Sequence, residues 1–251
     1  MCLNKIEIIP ISINHLFCNC EDLGKIISKS VDENGQEIFD KDILVVTQKI
    51  VSKVEGRTIF LKSIEPSAKA LLISKLQSKD PRLVEVILRE SKKIVKISRN
   101  VIIVETHHGF ICANAGVDQS NTEEETVVLL PKDPDKSALK IKEYFRSQNK
   151  EIGVIISDTF GRPFREGQTD IAVGIAGVNP IKSYIGSRDM YGKLLKSTII
   201  SVCDEIASAA ELVMGKAEKI PVAIIRGYDC DMSENFSIST NLRNEQNDLF
   251  R

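Results

Sequence analysis

Several common features are scarce in this sequence of 251 residues, and each absence excludes a class of protein. There is no tryptophan, so the core must be mostly aliphatic. The net charge is −1, with 34 basic and 35 acidic residues, so no global positive field attracts nucleic acid or an anionic membrane. No apolar run is long enough to span a bilayer. We expect a soluble globular protein without a nucleic-acid or membrane partner.

A secretory leader and a cysteine framework are also missing. Met1–Pro10 contains Glu7 and lacks a long apolar segment before a small-residue cleavage site. The six cysteines are dispersed, and no pair has the C-x-x-C spacing of a zinc or redox motif. Free thiols are typical of a reducing compartment. We therefore expect a cytoplasmic protein.

Neither of the two common phosphate-binding motifs occurs, since G-x-x-x-x-G-K-[ST] and G-x-G-x-x-G are both absent. Strands and helices do not alternate steadily, which argues against a simple doubly wound sheet. No linker is visible, so residues 1–251 form a single unit in which two lobes are possible. The predicted fold class is α+β. The clearest patterns are strands at Asp42–Gln48, Val101–Glu105, Gly153–Ser157 and Pro221–Gly227, and helices at Pro81–Lys93 and Ser197–Met214.

Three of the predicted buried strands run directly into polar, glycine-bearing loops. Val101–Glu105 leads to HHGFICANAGVDQSN, Gly153–Ser157 leads to DTFGRPFREGQTD, and Val222–Ile225 leads to RGYDCDMSENFS. Loops that carry carboxylates and amides on a rigid scaffold are a common location of binding and catalytic sites. The sequence therefore points to these three loops as parts of a site.

The segment Ser157–Gln168 has the richest chemistry. Asp158 stands at a strand end, where its carboxylate suits a divalent metal, and Thr159 adds a further oxygen. Arg162 and Arg165 carry permanently charged guanidinium groups, which can form paired hydrogen bonds with phosphate or carboxylate groups. The alternative is a surface turn in which these side chains form ordinary salt bridges.

Other candidate ligands come from two further segments. Asp118 is a second candidate metal carboxylate, and Asn121 can bind a phosphate or a base, although both residue types also favour simple Asx turns. Lys49 and Lys53 follow a buried strand, where they can neutralise phosphates or remain solvated. From the residues alone, both interpretations of each pair stay open.

Two clusters of metal-binding residue types are less specific. His107 and His108 are adjacent, and neighbours in an extended chain point to opposite faces, so we expect a structural role for them. Asp229, Asp231 and Glu234 can hold a second metal or form a hydrated loop. The second cluster therefore remains a candidate.

The segments VVTQKIVSKVEGR, GFICANAGVDQSN and DTFGRPFREGQTDIAVGIAG occur in this order. Together they resemble the signature blocks of the coenzyme F-420-0:L-glutamate ligases, the gamma-glutamyl ligases of deazaflavin cofactor biosynthesis. AELVMGKAEKIPVAIIRG is similar to the C-terminal block of that family. The resemblance extends from about Ile8 to the final DLFR, which is essentially the whole chain.

This resemblance implies a GTP-dependent ligase that uses Mg²⁺ or Mn²⁺ at two sites and often requires K⁺. Such an enzyme joins L-glutamate through its amine to a carboxylate of coenzyme F-420-0, and then adds gamma-linked glutamate. A carboxylate is a poor electrophile, so an acyl-phosphate intermediate is expected. The resemblance also implies a two-lobed α+β fold in an intertwined homodimer. Another metal- and nucleotide-dependent phosphotransferase and a non-catalytic nucleotide-binding protein are the alternatives.

Individual positions acquire roles from the same resemblance. The sequence departs from many relatives in the loop YDCDMSENFS, where Glu234 is the predicted further metal ligand. Arg162 and Arg165 are predicted to bind the glutamate carboxylates or the substrate phosphate. The positions matching metal ligands are Asp118 and Asp158 for the first metal and Thr159 for the second. Those matching nucleotide contacts are Pro10, Ile11, Ser12, Ile13, Gln48, Lys49, Lys53 and Asn121.

Overall fold

A computed structural model of the chain describes residues 5–98, 100–233 and 235–248. Helices flank several sheets, which confirms the predicted α+β class. The strands are β1 (Glu7–Ile11), β2 (Ile43–Thr47), β3 (Thr58–Phe60), β4 (Ser91–Ile97), β5 (Ile102–Thr106), β6 (Ile111–Ala113), β7 (Thr126–Val128), β8 (Gly153–Gly161), β9 (Gln168–Ala176), β10 (Ile181–Ser183), β11 (Ile199–Ser201) and β12 (Val222–Arg226). The helices are α1 (Leu23–Glu33), α2 (Gln48–Val54), α3 (Ala68–Gln77), α4 (Pro81–Arg89), α5 (Pro134–Ser147) and α6 (Val202–Met214).

A five-stranded sheet in the order β1-β12-β2-β8-β9 forms the centre of the molecule. Strands β2 and β8 are parallel, and the other neighbouring pairs are antiparallel. The apolar residues of β2, β8 and β12 are almost completely buried along each strand, as expected for strands covered on both faces. The strands are rich in valine and isoleucine, whose branched side chains favour this pleated, buried environment.

Strand direction decides which loops meet. Thr47 pairs with Ser157, so the carboxyl ends of β2 and β8 lie side by side. Val222 pairs with Val46 and with Ile11, so the amino end of β12 and the carboxyl end of β1 lie there too. We call this the Thr47 end of the sheet, and the opposite side the Asp42 end.

A second hydrophobic core lies outside the central sheet. Helices α3 and α4 pack there against the three-stranded sheet β4-β5-β6, and Val84, Ile87 and Ile102 are fully buried. The segment that leaves this core carries Asp118, whose backbone N–H and C=O both pair with Val128. Asp118 is therefore held by a short backbone ladder rather than by a free loop.

Two predicted helix boundaries were wrong. The helix predicted at Ser197–Met214 starts only at Val202, because Ile199–Ser201 pairs with β10 as a strand. The helix predicted at Pro81–Lys93 ends at Arg89, and β4 follows almost at once. In both cases β-branched residues continue an apolar pattern into a strand. Among the described helices, none is both long and apolar enough to cross a membrane.

Candidate active site at the Thr47 end of the sheet

An ion pair between Lys49 and Asp118 joins two predicted site residues. Lys49 lies in the first turn of α2, directly after β2, and its Nζ is 2.7 Å from Asp118 Oδ2. Lys49 Nζ also donates to Ser120 Oγ at 2.7 Å, and the Ser120 amide donates to Asp118 Oδ1 at 2.7 Å. Burial raises the pKa of Asp118, but the hydrogen bonds from Lys49 and Ser120 outweigh it and leave the pKa below its usual value.

Asp158, in contrast, has too little positive charge nearby to favour its ionised form. Burial raises its pKa to about 7, and the nearby charges of Asp118 and Asp170 raise it as well, whereas the Thr159 amide and Lys49 lower it. The same carboxylate contributes, after burial, to raising the pKa of Cys112 to about 12. A cation bound beside Asp158 would restore its charged form, because an opposite charge favours ionisation.

Thr159 belongs to a network that includes two residues the sequence analysis missed. Thr159 stands opposite Asp170 in the β8–β9 pair, and its Oγ1 donates to Asp170 Oδ1 at 2.7 Å. Lys216 Nζ donates to Thr159 Oγ1 and to Asp170 Oδ1, both at 2.9 Å. Asp170 is buried and Lys216 is mostly exposed. The sequence signal for Asp170 was its place at the end of the stretch DTFGRPFREGQTD.

Lys216 reaches the site because of the turn Gly215–Pro221, which precedes β12. Backbone carbonyls of this turn accept hydrogen bonds from the amides of Thr47 and Ile13, at 3.0 and 3.1 Å, and from Asn121 Nδ2 at 3.4 Å. The turn therefore ties together the ends of β1 and β2 and the loop after Asp118. This role of the turn depends on β12 running antiparallel to β2.

Three of the predicted nucleotide contacts lie around this turn. Lys53 Nζ donates to the Asn121 carbonyl at 2.9 Å, and burial, followed by the charge of Lys49, lowers the pKa of Lys53. Asn121 has a left-handed backbone with φ of 53°. Gln48 is buried, and its Oε1 accepts a hydrogen bond from Ser52 Oγ. Gln48 is thus positioned by its own helix.

The predicted contacts Pro10, Ile11, Ser12 and Ile13 lie at the end of β1, at the same end of the sheet. The side chains of Ile11 and Ile13 are buried in the core, so only their backbone groups are available to a ligand. Ser12 is exposed, and its Oγ donates to Asn34 Oδ1 at 2.9 Å. This turn therefore offers backbone atoms and one hydroxyl.

The two predicted substrate-binding arginines lie on the exposed loop between β8 and β9. Arg162 Nη2 donates to the Glu166 carbonyl at 2.9 Å, which is a hydrogen bond within the same loop. Within the described part of the chain, no hydrogen bond or ion pair joins Arg162 or Arg165 to Asp158. Both guanidinium groups therefore stand at the rim, accessible to a ligand arriving from solvent.

The donor atoms at this end of the sheet are the kind that Mg²⁺ and Mn²⁺ prefer, because they are carboxylate and hydroxyl oxygens. Lysine ammonium groups lie against two of these carboxylates. No group of three or more His, Cys, Asp or Glu side chains forms a ready-made metal cage in the ranges that the structure describes. The donor chemistry fits a hard divalent cation, and its binding requires the lysines to move. These oxygen donors are Asp118, Asp158, Thr159 and Asp170.

The third predicted loop does not join this site within one chain. Because β12 is antiparallel to β2, the loop Gly227–Ser237 leaves the sheet at the Asp42 end. Arg226, the last residue of β12, forms two hydrogen bonds with Asp42 at 3.0 and 2.7 Å. The structure therefore brings two of the three loops to the Thr47 end, whereas the third lies at the Asp42 end. The predicted metal ligand Glu234 lies outside the described residues.

Comparison with known proteins agrees with the sequence blocks. Residues 15–227 match the model of the family described as "F420-0:Gamma-glutamyl ligase". The chain belongs to this family. A protein named "Coenzyme F420:L-glutamate ligase" from Methanothermobacter thermautotrophicus is 45% identical over 234 residues, which is 92% of this chain and 93% of that protein. Proteins of the same name are 45% identical in Methanocaldococcus jannaschii, over 85% of this chain and 86% of that protein, and 41% identical in Methanopyrus kandleri, over 99% of both chains.

The part of the chain matched by the gamma-glutamyl ligase family contains the whole Lys49–Asp118–Asp158 cluster and the turn Gly215–Pro221. It excludes the Pro10–Ile13 segment and the loop after Gly227. The matched region therefore contains these side chains of the Thr47 end, and it also contains Asp42 and Arg226 at the opposite end of the sheet.

Proposed function

We propose that this protein is a GTP- and divalent-metal-dependent ligase that adds L-glutamate to coenzyme F-420-0 and then extends it with gamma-linked glutamate. The observation that carries the proposal is the Lys49–Asp118 ion pair beside the under-neutralised Asp158, in a chain of the gamma-glutamyl ligase family. The relatives' names supply the acceptor and the amino acid.

The proposed reaction has two steps. A carboxylate oxygen of coenzyme F-420-0 attacks the γ-phosphorus of GTP, GDP leaves, and an acyl phosphate forms. The amine of L-glutamate then attacks the acyl carbon, so that the C–N bond forms, the C–O bond to phosphate breaks, and the amine loses a proton. Phosphoryl transfer depends mainly on charge neutralisation and alignment, so no nucleophilic side chain is needed.

The residues at the Thr47 end match these demands. Lys49 and Lys53 place two positive charges beside the Asn121 loop, where the phosphates of GTP are expected. Asp118, Asp158 and Thr159 would hold Mg²⁺ or Mn²⁺, which when bound neutralises phosphate charge. The nucleotide would lie along Pro10–Ile13 and Gln48. Arg162 and Arg165 stand at the rim, where they can meet the carboxylates of incoming glutamate.

The decisive experiment is a ligase assay with defined components. The protein is incubated with GTP, Mn²⁺ or Mg²⁺, K⁺, L-glutamate and coenzyme F-420-0, and glutamyl additions are counted by mass spectrometry. We expect additions only when GTP, metal and glutamate are all present, and we expect Na⁺ to replace K⁺ poorly. Absence of GTP-dependent addition with every divalent metal would contradict the proposal.

A phosphotransferase is distinguished by the same assay. It would release or transfer phosphate without glutamate, whereas the ligase consumes GTP only when glutamate is present. Replacing GTP by ATP in a parallel reaction tests the choice of nucleotide. A retained nucleotide turnover in the absence of glutamate would favour the phosphotransferase.

We also propose that the protein works as an intertwined homodimer in the cytoplasm. The hairpin β10–β11 extends into an arm whose apolar residues Met190, Tyr191 and Leu194 are exposed, and such patches often mark interfaces. The described cysteines are free, in keeping with a reducing compartment. Light scattering should give twice the chain mass, and Met190→Asp with Tyr191→Asp should reduce it to one chain. A monomeric wild-type protein at micromolar concentration would contradict the dimer.

A further inference from the structure

A cavity of about 290 Å³ lies next to the segment that carries Asp118. It is formed by the turn between α3 and α4, by α4 itself, and by the loop Asn114–Gln119. Leu83, Ile87 and Val117 give it apolar walls. Its polar lining includes Lys79, Asn114 and Gln119, and we call it the Lys79 pocket.

Lys79 brings an uncompensated positive charge to this pocket. Its half-buried Nζ donates to Asn114 Oδ1 at 3.0 Å, and among the described residues no carboxylate forms an ion pair with it. Burial is the cause that lowers the pKa of Lys79. No carboxylate neutralises this half-buried ammonium among the described residues, so an anion that enters the pocket gains a favourable interaction.

The acidic residue that lines the pocket is already neutralised. Asp80 accepts three hydrogen bonds from the Arg82 guanidinium, the shortest being 2.6 Å, and another from the Arg82 amide. These bonds lower the pKa of Asp80 despite its burial. Asp80 therefore caps α4 and pairs with Arg82, and the net charge offered to a ligand is that of Lys79.

The side-chain amides of Asn114 and Gln119 provide uncharged hydrogen-bond donors next to the Lys79 ammonium. Asn114 Oδ1 accepts from Lys79 and from the Ile102 amide, which fixes the side chain and leaves its NH₂ group without a partner among the described residues. The backbone is left-handed at Asn114, Ala115 and Gly116, with φ of 52°, 58° and 68°. Non-glycine residues keep a left-handed backbone only where the surrounding structure fixes it, so the loop that lines the pocket has a defined conformation.

We propose that the Lys79 pocket binds a substrate carboxylate carried on a short aliphatic chain. This proposal rests on the ligase function proposed above. An ammonium with neighbouring amide donors suits a carboxylate, and the apolar walls suit methylene groups. Val117 and Gln119 line the pocket and stand on either side of Asp118 in sequence, so the pocket lies along the segment that carries the predicted metal ligand, on the face opposite the Asp118 side chain. The carboxylate belongs to the incoming glutamate or to the glutamyl end of the acceptor.

The test compares Lys79→Met with Lys140→Met, which removes the same charge from an exposed position on α5. We expect Lys79→Met to raise the KM for glutamate about ten- to a hundredfold, because it removes a charged hydrogen bond. The KM for GTP and kcat should stay within about threefold of wild type, and Lys140→Met should change nothing. Lys79→Arg should recover part of the loss.

Substrate analogues give a readout that a merely structural role would not move. Wild type should prefer glutamate to glutamine, and Lys79→Met should lose most of that preference. If Lys79→Met does not fold, Gln119→Leu at the exposed rim should raise the KM for glutamate by a smaller factor. If the KM for glutamate, the preference for glutamate and the rate of the second addition all stay unchanged in a folded, active variant, the proposal is overturned.

Separate analysis of the first and second additions identifies the source of the carboxylate. If the KM for glutamate rises in both additions, the pocket holds the incoming amino acid. If only the second addition is slowed, the pocket holds the glutamyl end of the acceptor. The ligase function fails separately, since in that case the wild-type protein itself adds no glutamate.

Discussion

The two ends of the central sheet carry aspartates in opposite electrostatic states. At the Asp42 end, Asp42 is 2% exposed and accepts two hydrogen bonds from Arg226 and one from the Phe39 amide. Arg226 also donates to the Glu37 carbonyl and lies over the Phe39 ring. At the Thr47 end, burial and neighbouring carboxylates raise the pKa of Asp158 to about 7.

The Asp42–Arg226 pair is a structural ion pair, whereas the surroundings of Asp158 favour binding of a cation. The Asp42–Arg226 pair satisfies its own charges and hydrogen bonds, so it stabilises one arrangement of the chain and offers little to a ligand. Asp158 is left with unfavourable charge, while Lys49 and Lys216 lie on its acidic neighbours. Perturbed carboxylates of this kind mark functional sites more often than paired ones do.

The largest effect is expected from Arg226→Met. It leaves Asp42 buried without a countercharge, which should lower the free energy of unfolding by about 3–5 kcal/mol. Urea unfolding measures the change, and the ligase activity per folded molecule should stay near wild type. Adding Asp42→Asn should restore much of the stability. A stable single variant with reduced activity would show that the Asp42 end belongs to the active site.

Asp158→Asn should have the next largest effect, and on activity rather than folding. We expect the ligase rate to fall about a hundred- to a thousandfold, the scale seen when one group that stabilises developing charge is removed. Mass spectrometry of glutamyl products measures the rate, with Arg226→Met as the contrasting variant.

Asp158→Asn should also change the thermal stability, and the raised pKa of Asp158 determines whether the Tm rises or falls. Unfolded Asp releases its proton near pH 3.8, whereas folded Asp158 keeps it until about pH 7, so Asp158 reduces stability as pH rises through this window. Metal-free Asp158→Asn should therefore have a higher Tm than wild type at pH 8, and no advantage below pH 4. A lower Tm at pH 8 would refute the interpretation of Asp158 as under-neutralised.

Glu85, in helix α4 beside the second core, has a pKa shifted in the opposite direction to that of Asp158, and its substitution should have a smaller effect on stability. Hydrogen bonds from Ser67 and Arg89 lower its pKa from 4.5 to about 2. Its contribution to stability is therefore present above pH 4.5 and lost as pH falls towards 2. We expect Glu85→Gln to cost about 1–3 kcal/mol at pH 7, measured by urea unfolding. The difference from wild type should shrink below pH 4.5, and a constant difference would point to lost packing instead.

The sequence singled out individual candidate residues more readily than the way the fold brings them together. Asp158 and Thr159 were recognisable because they follow an apolar run, and Asp118 because it follows a glycine-bearing loop. The predicted strand end at Ser157 was wrong, because β8 continues through Asp158 and Thr159 to Gly161. Lys216 was not, because its role depends on β12 being antiparallel to β2, and strand direction leaves no mark in the local pattern. The loop after Gly227 was grouped with the site for the same reason. The start of the last helix was predicted at Ser197 but lies at Val202, because Ile199–Ser201 pairs as a strand.

The turn Gly215–Pro221 has a consequence for how the chain folds. It connects Ile13, Thr47 and Asn121, which are far apart in sequence, and it comes from the last quarter of the polypeptide. Contacts of such separation close large loops and form slowly. The second core, built from residues between Ala70 and Ala115, can form from more local contacts. During synthesis, the candidate site therefore stays incomplete until β12 has emerged, and the proposed nucleotide binding would report that the chain has folded up to this strand.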